Sequence, residues 1–323
     1  MQKRKLTVEK FLWGKWLPAI KSTIRTSTYL SYESHLRNHI CPHVGDKRLD
    51  RVDGSTLNGL YAILLERGRR NGTGLSPSTV RRVHATLHRA LRDAVRWALL
   101  NKNPADSADP PKLRANRKVE FSTWSAEELT TFLTHVRGEK LYPLWMLLAT
   151  TGMRRGEVLG LRWCDVDLER AEAAVRQTVV SHNYKIDISE PKTARGRRVV
   201  ALDEHTTAEL RSYRDRERPL LETELLFHYR TGNPINPIDV SKGFVELSRR
   251  AGLPRIRLHD LRHTHATLAL QAGVHPKIVS ERLGHSTISF TLDVYSHAIP
   301  HLQKEAAGQI ASLLFPDSVT PSN

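Results

Sequence analysis

One stretch of the chain, from Leu258 to His297, gathers the side-chain types on which attack at a phosphodiester can be built. It contains Leu258-His259-Asp260-Leu261-Arg262-His263, then Leu283-Gly284-His285, then Tyr295-Ser296-His297. Arginine grips non-bridging phosphate oxygens through two parallel N–H bonds, and a phenol is a nucleophile. His259 and Arg262 are three apart in what reads as the first turn of a helix, so both project from one face.

Short helices must deliver these groups to one place. Gly273 ends the first, and His275-Pro276 opens the second with proline at its first position. Gly284 closes that helix and leaves His285 just past its end. Tyr295 falls in a third helical segment. An earlier stretch, Thr151-Gly152-Met153-Arg154-Arg155-Gly156-Glu157, follows the apolar run 144–149. Gly152 breaks a helix there and Arg154 sits at the turn into the next. Of the arginine pair, one is expected to face inward and the other to lie on the surface. Glu157 is placed to hold Arg154; a buried structural ion pair and a functional site are equally open from these residues alone.

Between the two stretches the pattern becomes β-rich over 174–180, 185–189 and 198–202, which predicts a small antiparallel sheet. Its second turn, Pro191-Lys192-Thr193-Ala194-Arg195-Gly196-Arg197-Arg198, carries four cations, of which Lys192 could reach into a groove. Helices are expected over 205–217 and 238–250. Another is expected over 299–314, with Ile299, Leu302, Ala306, Ile310 and Leu313 on one face. Ser125-Ala126-Glu127-Glu128 has capping-box spacing and marks the start of a new helix and domain.

Charge separates this part of the chain from what precedes it. The 323 residues carry a net charge of +16 and a pI near 10.1. Residues 1–120 hold 24 Lys and Arg against 10 Asp and Glu, and the remainder 26 against 24. A basic domain joined to a nearly neutral one reads as a polyanion-gripping module attached to something else. Residues 7–100 read as helices. Ser27 is a cap candidate before Tyr29, Tyr32, Leu36 and Ile40, and Ser55 caps a helix to about Glu66. The clearest helix is 77–99, with Ser76 as cap and Val80, Val83, Leu87, Leu91, Ala94, Val95 and Ala98 as its buried stripe. Arg81, Arg82, His88, Arg89, Arg92 and Arg96 cover much of the rest, and phosphate contact is favoured over a merely solvated face because Asp93 alone balances them on this helix.

Other classes are excluded or disfavoured. Cys41 and Cys164 stand far apart, outside any metal-ligand spacing, which points to a cytoplasmic, disulfide-free chain. No apolar run is long enough to span a bilayer, so no membrane partner is expected, and the basic N-terminus lacks the apolar core of a signal peptide. His259 and His263 share the spacing of a zinc-binding helix, but Asp260 replaces the glutamate base and Arg262 would set a fixed cation beside the metal. No metal is expected. His84 and His88 repeat the spacing on a basic, apolar helix and are read as phosphate-facing or inert.

Taken in order, the motifs resemble those of the tyrosine recombinase, or phage integrase, family. Thr151–Glu157 resembles the first arginine motif, Pro191-Lys192-Thr193 the hairpin lysine and His259–His263 the H-x-x-R motif. Leu283-Gly284-His285 resembles the second histidine motif, and Tyr295 the nucleophile. Residues 1–108 resemble the family's helical, SAM-like core-binding domain. The resemblance implies a mainly α fold with a small antiparallel β-sheet in the catalytic domain: DNA binding over 1–108, a linker over 109–120, catalysis over 121–315 and a tail over 316–323. Catalysis is assigned to Arg154, Lys192, His259, Arg262, His285 and Tyr295, with Glu157 in support, and DNA contact also to Arg195, Arg197 and Arg198. The product is a 3′-phosphotyrosine, formed without a cofactor. Double-stranded DNA, a homotetramer on DNA and accessory DNA-bending or directionality proteins are the implied partners, with helix 299–314 docking on a neighbouring protomer. Many relatives carry an additional small arm-binding domain, for which the stretch before Thr7 is too short, so either a simpler recombinase of the Xer kind or a piece of a longer protein is expected. Integration or excision of a phage or mobile element is the expected role. A Xer-like resolvase, a degenerate DNA-binding protein and a topoisomerase are the alternatives.

Overall fold

Helix Pro77–Arg96 organises the first part of the chain. Ser76 caps it by accepting the Thr79 N–H at 3.3 Å, and Pro77 supplies a helical φ where no N–H is needed. Val80, Val83, Leu87, Leu91 and Ala94 are buried in one core with Phe11, Leu12, Trp16, Leu36, Leu57 and Leu64. The Trp16 indole N–H donates to buried Asp93 at 2.9 Å. The helix stops short of the expected residue 99 because Ala98 turns left-handed at φ 56°, and the Leu99 N–H returns to the Ala94 carbonyl at 2.9 Å. Ala98 is therefore exposed and does not continue the stripe.

The computed structural model describes residues 6–113, 122–182, 185–191, 196–285, 287–295, 307–308 and 310–314, without the side chains of 290 and 293–295. The chain divides into two compact units, Met1–Lys118 and Val119–Asn323. Two expected caps are corrected in the first unit. Helix Thr26–His35 follows Arg25, so Ser27 lies inside its first turn. Helix Gly54–Arg67 is capped by Asp53, whose extended backbone lets its carboxylate accept the Thr56 N–H at 2.8 Å, rather than by Ser55.

The second unit is helical around small antiparallel sheets. Ser125 and Glu128 form the reciprocal cap of helix Ala126–His135. Helix Tyr142–Thr151 is almost wholly buried. Trp124, Phe132, Trp145 and Phe244 pack with ring centroids 5.3 to 6.1 Å apart. The strands are β1 (Val166–Asp167), β2 (Glu172–Val175), β3 (Thr178–His182), β4 (Lys185–Ser189) and β5 (Arg198–Ala201). β2 lies between β1 and β5, while β3 and β4 form a separate hairpin. The single strand expected over 174–180 is thus two. At the break, the Gln177 side-chain amide donates to the Gly160 carbonyl at 2.9 Å, and a Cβ at Gly160 would lie 2.8 Å from the Gln177 carbonyl oxygen.

Helices Glu204–Glu217, Pro237–Arg250, Asp260–Gln271, Pro276–Leu283 and Ile288–Tyr295 follow. Most of the expected helix 299–314 lies outside the described residues; 307–308 and 310–314 are helical. Among the described residues no helix is long and apolar enough to cross a membrane.

Candidate active site

The site is assembled on helix ends. Helix Tyr142–Thr151 terminates in Gly152 at φ 64° and helix Pro276–Leu283 in Gly284 at φ 66°, conformations that glycine adopts without a Cβ penalty. Carbonyls left over at these ends are taken up by the arginine of the third element. Arg262, in the first turn of helix Asp260–Gln271 and 4% exposed, donates to the Gly152 carbonyl at 2.8 Å and to the Leu283 carbonyl at 2.6 Å. Asp260 fixes the start of that helix by accepting the Arg257 backbone N–H at 2.8 Å and its guanidinium at 2.8 and 3.0 Å.

Arg154 reaches the neighbouring carbonyl, that of Gly284, at 3.5 Å. The two arginines, 108 positions apart in sequence, thus meet on consecutive peptide groups. Glu157 holds Arg154 from behind: it accepts the Arg154 backbone N–H at 2.9 Å and its guanidinium at 2.7 Å. Buried Glu157 also accepts from Arg198 at 2.9 and 3.2 Å. Burial pushes its carboxyl pKa up, but the Arg198 and Arg154 bonds and charges outweigh this and hold it below the usual range. Arg198 in turn donates to the Arg282 carbonyl at 2.7 Å, which ties β5 to the helix that ends at Gly284.

The histidines around these cations are kept neutral. His285, 8% exposed, lies 2.8 Å from the Thr291 hydroxyl. Burial, followed by the charges of Arg262 and Arg154, pushes its pKa down to about 3. His259 precedes Asp260 at the mouth of the site, and crowding by the surrounding protein, then Arg262, lowers its pKa. It stands edge-on to buried His263, with centroids 5.2 Å apart. Burial and then His259 bring His263 down to about 4. Among the described residues no group of three or more His, Cys, Asp or Glu is placed to hold a metal ion.

The structure thus brings together Arg154, Glu157, His259, Arg262 and His285. Tyr295 ends helix Ile288–Tyr295, whose Thr291 contacts His285; the Tyr295 side chain lies outside the described residues, as do Lys192 and Arg195. Two expectations are corrected. Arg198 is not a cation on the hairpin tip: its side chain is 8% exposed and paired with Glu157, because β5 begins there and turns it inward. Arg155 is not an ordinary surface residue either. It is half-buried and donates to the Ser241 hydroxyl. Sequence reasoning missed both; for Arg198 the signal available was the alternation of β5, which puts it on the same face as buried Val200, and for Arg155 there was none.

In the first unit, Arg81, Arg82, Arg92 and Arg96 are exposed on helix Pro77–Arg96. Arg96 pairs with Asp93 at 3.1 Å. Arg89 lies over the Tyr32 ring at 5.6 Å, and His88 is 2.8 Å from Asp106. His84 meets the Tyr61 hydroxyl at 2.7 Å. Arg197 pairs with Glu190 at 2.8 Å in the second unit.

Comparison with known proteins follows the same division. The profile described as "Phage integrase family" matches residues 124–301, and that described as "Phage integrase, N-terminal SAM-like domain" matches residues 10–58. A tyrosine recombinase XerC-like protein of Caldanaerobacter subterraneus subsp. tengcongensis is 29% identical over 94% of this chain and 82% of its own. The structure of the Tn1549 transposon integrase in complex with a circular intermediate DNA superposes with a TM-score of 0.76 at 23% identity, covering 95% of this chain and 100% of that one. A lambda integrase tetramer bound to a Holliday junction gives a TM-score of 0.66 at 18% identity, over 90% and 78% of the two chains.

Proposed function

We propose, for a chain that belongs to the phage integrase family of site-specific recombinases and so cuts and rejoins DNA through a tyrosine intermediate, that Tyr295 is the attacking group. Arg154, Arg262, His259, His285 and Lys192 serve it. The observation that carries this reading is the meeting of Arg154 and Arg262 on the adjoining carbonyls of Gly284 and Leu283. Two guanidiniums fixed before substrate arrives need no reorganisation when charge builds on the non-bridging oxygens, and each is expected to contribute about 3 kcal/mol to the transition state.

In this account the Tyr295 oxygen attacks phosphorus, the P–O bond to the 5′-oxygen breaks, and a 3′-phosphotyrosine forms. Lys192 supplies the proton for the 5′-oxygen, a contribution of about 10²–10⁴-fold. His285, neutral and oriented by Thr291, donates to a non-bridging oxygen, and His259 handles the tyrosine proton. Glu157 keeps Arg154 in place. One ester replaces another, so bond energy is retained for rejoining.

The substrate is duplex DNA, and the working assembly is a homotetramer on it. The lambda integrase tetramer on a Holliday junction supports the assembly, and the Tn1549 integrase supports a role in moving an element. The XerC-like relative keeps resolution of replicon dimers as the second reading.

The test is covalent capture. Nicked duplexes with a randomised core should yield a detergent-resistant complex with the wild-type chain and none with Tyr295→Phe, whose duplex affinity should stay within about twofold because many phosphate contacts carry binding. An adduct from the phenylalanine variant would remove Tyr295 from the role.

A further inference from the structure

A cavity of 490 Å³ adjoins the site, with Arg154, Arg155, Ser241, Arg255, Arg257 and His259 among its lining residues. Four arginines line it and no carboxylate does. Two of the four already face a carboxylate: Arg154 meets Glu157 at 2.7 Å, which it shares with Arg198, and Arg257 meets Asp260 at 2.8 Å. Among the described residues, Arg155 and Arg255 have no carboxylate within ion-pair distance.

Arg155 is the informative member. Its guanidinium is half withdrawn from water, held by a neutral partner, the Ser241 hydroxyl on helix Pro237–Arg250. Burial alone lowers its pKa, with no opposing carboxylate. A desolvated cation without a counter-charge is unfavourable in the isolated chain. It becomes favourable once an anion enters, and the cavity leaves room for one. Arg255 is exposed at the same mouth.

We propose that Arg155 and Arg255 hold a second DNA backbone phosphate, one flanking the phosphate under attack. The inference rests on the reading of this site as the strand-transfer centre. The cavity shares Arg154 and His259 with that centre, and successive phosphates of one strand advance about 3.4 Å along the duplex axis. A strand whose reacting phosphate lies at Arg154, if it runs along this face, has its next phosphate within reach of the cavity that shares Arg154 and His259. Two arginines and a hydroxyl read phosphate and not base edges, so the contact fixes which bond faces the nucleophile without choosing sequence.

The experiment uses the full chain and a 30-base-pair duplex of arbitrary sequence, with affinity followed from 50 to 200 mM salt. Replacing both residues (Arg155→Gln with Arg255→Gln) should lower the slope of log affinity against log salt by about 0.9, the value for one phosphate. Arg216→Gln, on the exposed pair with Glu209, should leave it unchanged. Without DNA, Arg155→Gln should melt at the wild-type temperature or above it, and its gain on adding duplex should be smaller. An unchanged slope with a lowered melting temperature would make Arg155 a structural residue and overturn the proposal. So would an equal slope change in Arg216→Gln, or a full Arg155-dependent stabilisation by millimolar inorganic phosphate in place of duplex, which would assign a free-anion site. Covalent capture by the wild type is scored separately. Capture with an unchanged slope overturns only this inference, whereas no capture with a lowered slope overturns only the reading of the reaction.

Discussion

Glu157 is the residue through which most of the site's electrostatics pass. Its two oxygens take Arg154, Arg198 and a backbone N–H, so removing Arg198 leaves this buried carboxylate with one partly exposed guanidinium as its counter-charge and two fewer donors. Arg198→Ala should destabilise the second unit by about 1–3 kcal/mol, the usual cost of leaving a buried acceptor short of its donors. Urea unfolding checks this, and a loss below about 1 kcal/mol would show that Arg154 alone suffices. Arg154 and Arg262 stood out in the sequence because their motifs are local and ordered, and the structure brings the two to adjoining carbonyls. Arg198 did not, since four cations around one turn look alike until a strand's facing is known. The histidines set a pH dependence at the same scale. His263 and His285 have folded pKa values near 4 and 3, below the ordinary 6.5. The unfolded chain therefore binds more protons, and the stability they contribute is complete above pH 6.5 and lost as pH falls towards 4 for His263 and towards 3 for His285. Melting at pH 5 against pH 7 should register a loss of roughly 1 to 2 kcal/mol for each. A His285→Asn variant that keeps the full pH dependence would contradict its share.

At the scale of elements, the helix ends matter more than the helix faces. Gly152 was readable as a breaker and Gly284 as a terminator, because glycine at the end of an apolar run has few other uses. That their ends would offer carbonyls to one arginine was not readable, since it depends on how three helices pack. A Cβ at Gly152 would lie 2.6 Å from both His265 and Leu283 side-chain atoms and would hold alanine at φ 64°. Gly152→Ala should cost at least the 1–2 kcal/mol of left-handed backbone and displace the carbonyl that Arg262 grips. Single-turnover cleavage should fall by more than the loss of stability explains; cleavage within twofold of wild type would mean the loop adjusts. The divided strand at Gln177 is the opposite case. The residues on both sides read as one strand, and the break coincides with the close approach of Gly160, which pattern alone does not show.

For the whole molecule, charge was the most readable property. The excess of Lys and Arg in residues 1–120 predicted a module for a polyanion, and the division into Met1–Lys118 and Val119–Asn323 gives that charge a unit of its own. Assembly was less readable, because one amphipathic helix can pack at home or abroad. Ile310, Leu313 and Leu314 are 57%, 82% and 66% exposed, and we propose a neighbouring protomer as their partner. Removing residues 307–323 should therefore weaken cooperative assembly on paired sites by tenfold or more while leaving single-site binding within about threefold, as gel shifts would show. Loss of the folded monomer instead would mean that the segment packs on its own chain.

The reaction proposed for this chain transfers DNA to one named oxygen with a defined polarity. The covalent complex of the wild-type chain with nicked duplex should be digested with protease and nuclease and the linked peptide sequenced by mass spectrometry. A nucleotide joined through its 3′-phosphate to Tyr295, with a 5′-hydroxyl on the released strand, is the expected product. Attachment to any other residue, or through a 5′-phosphate, would contradict the proposed reaction.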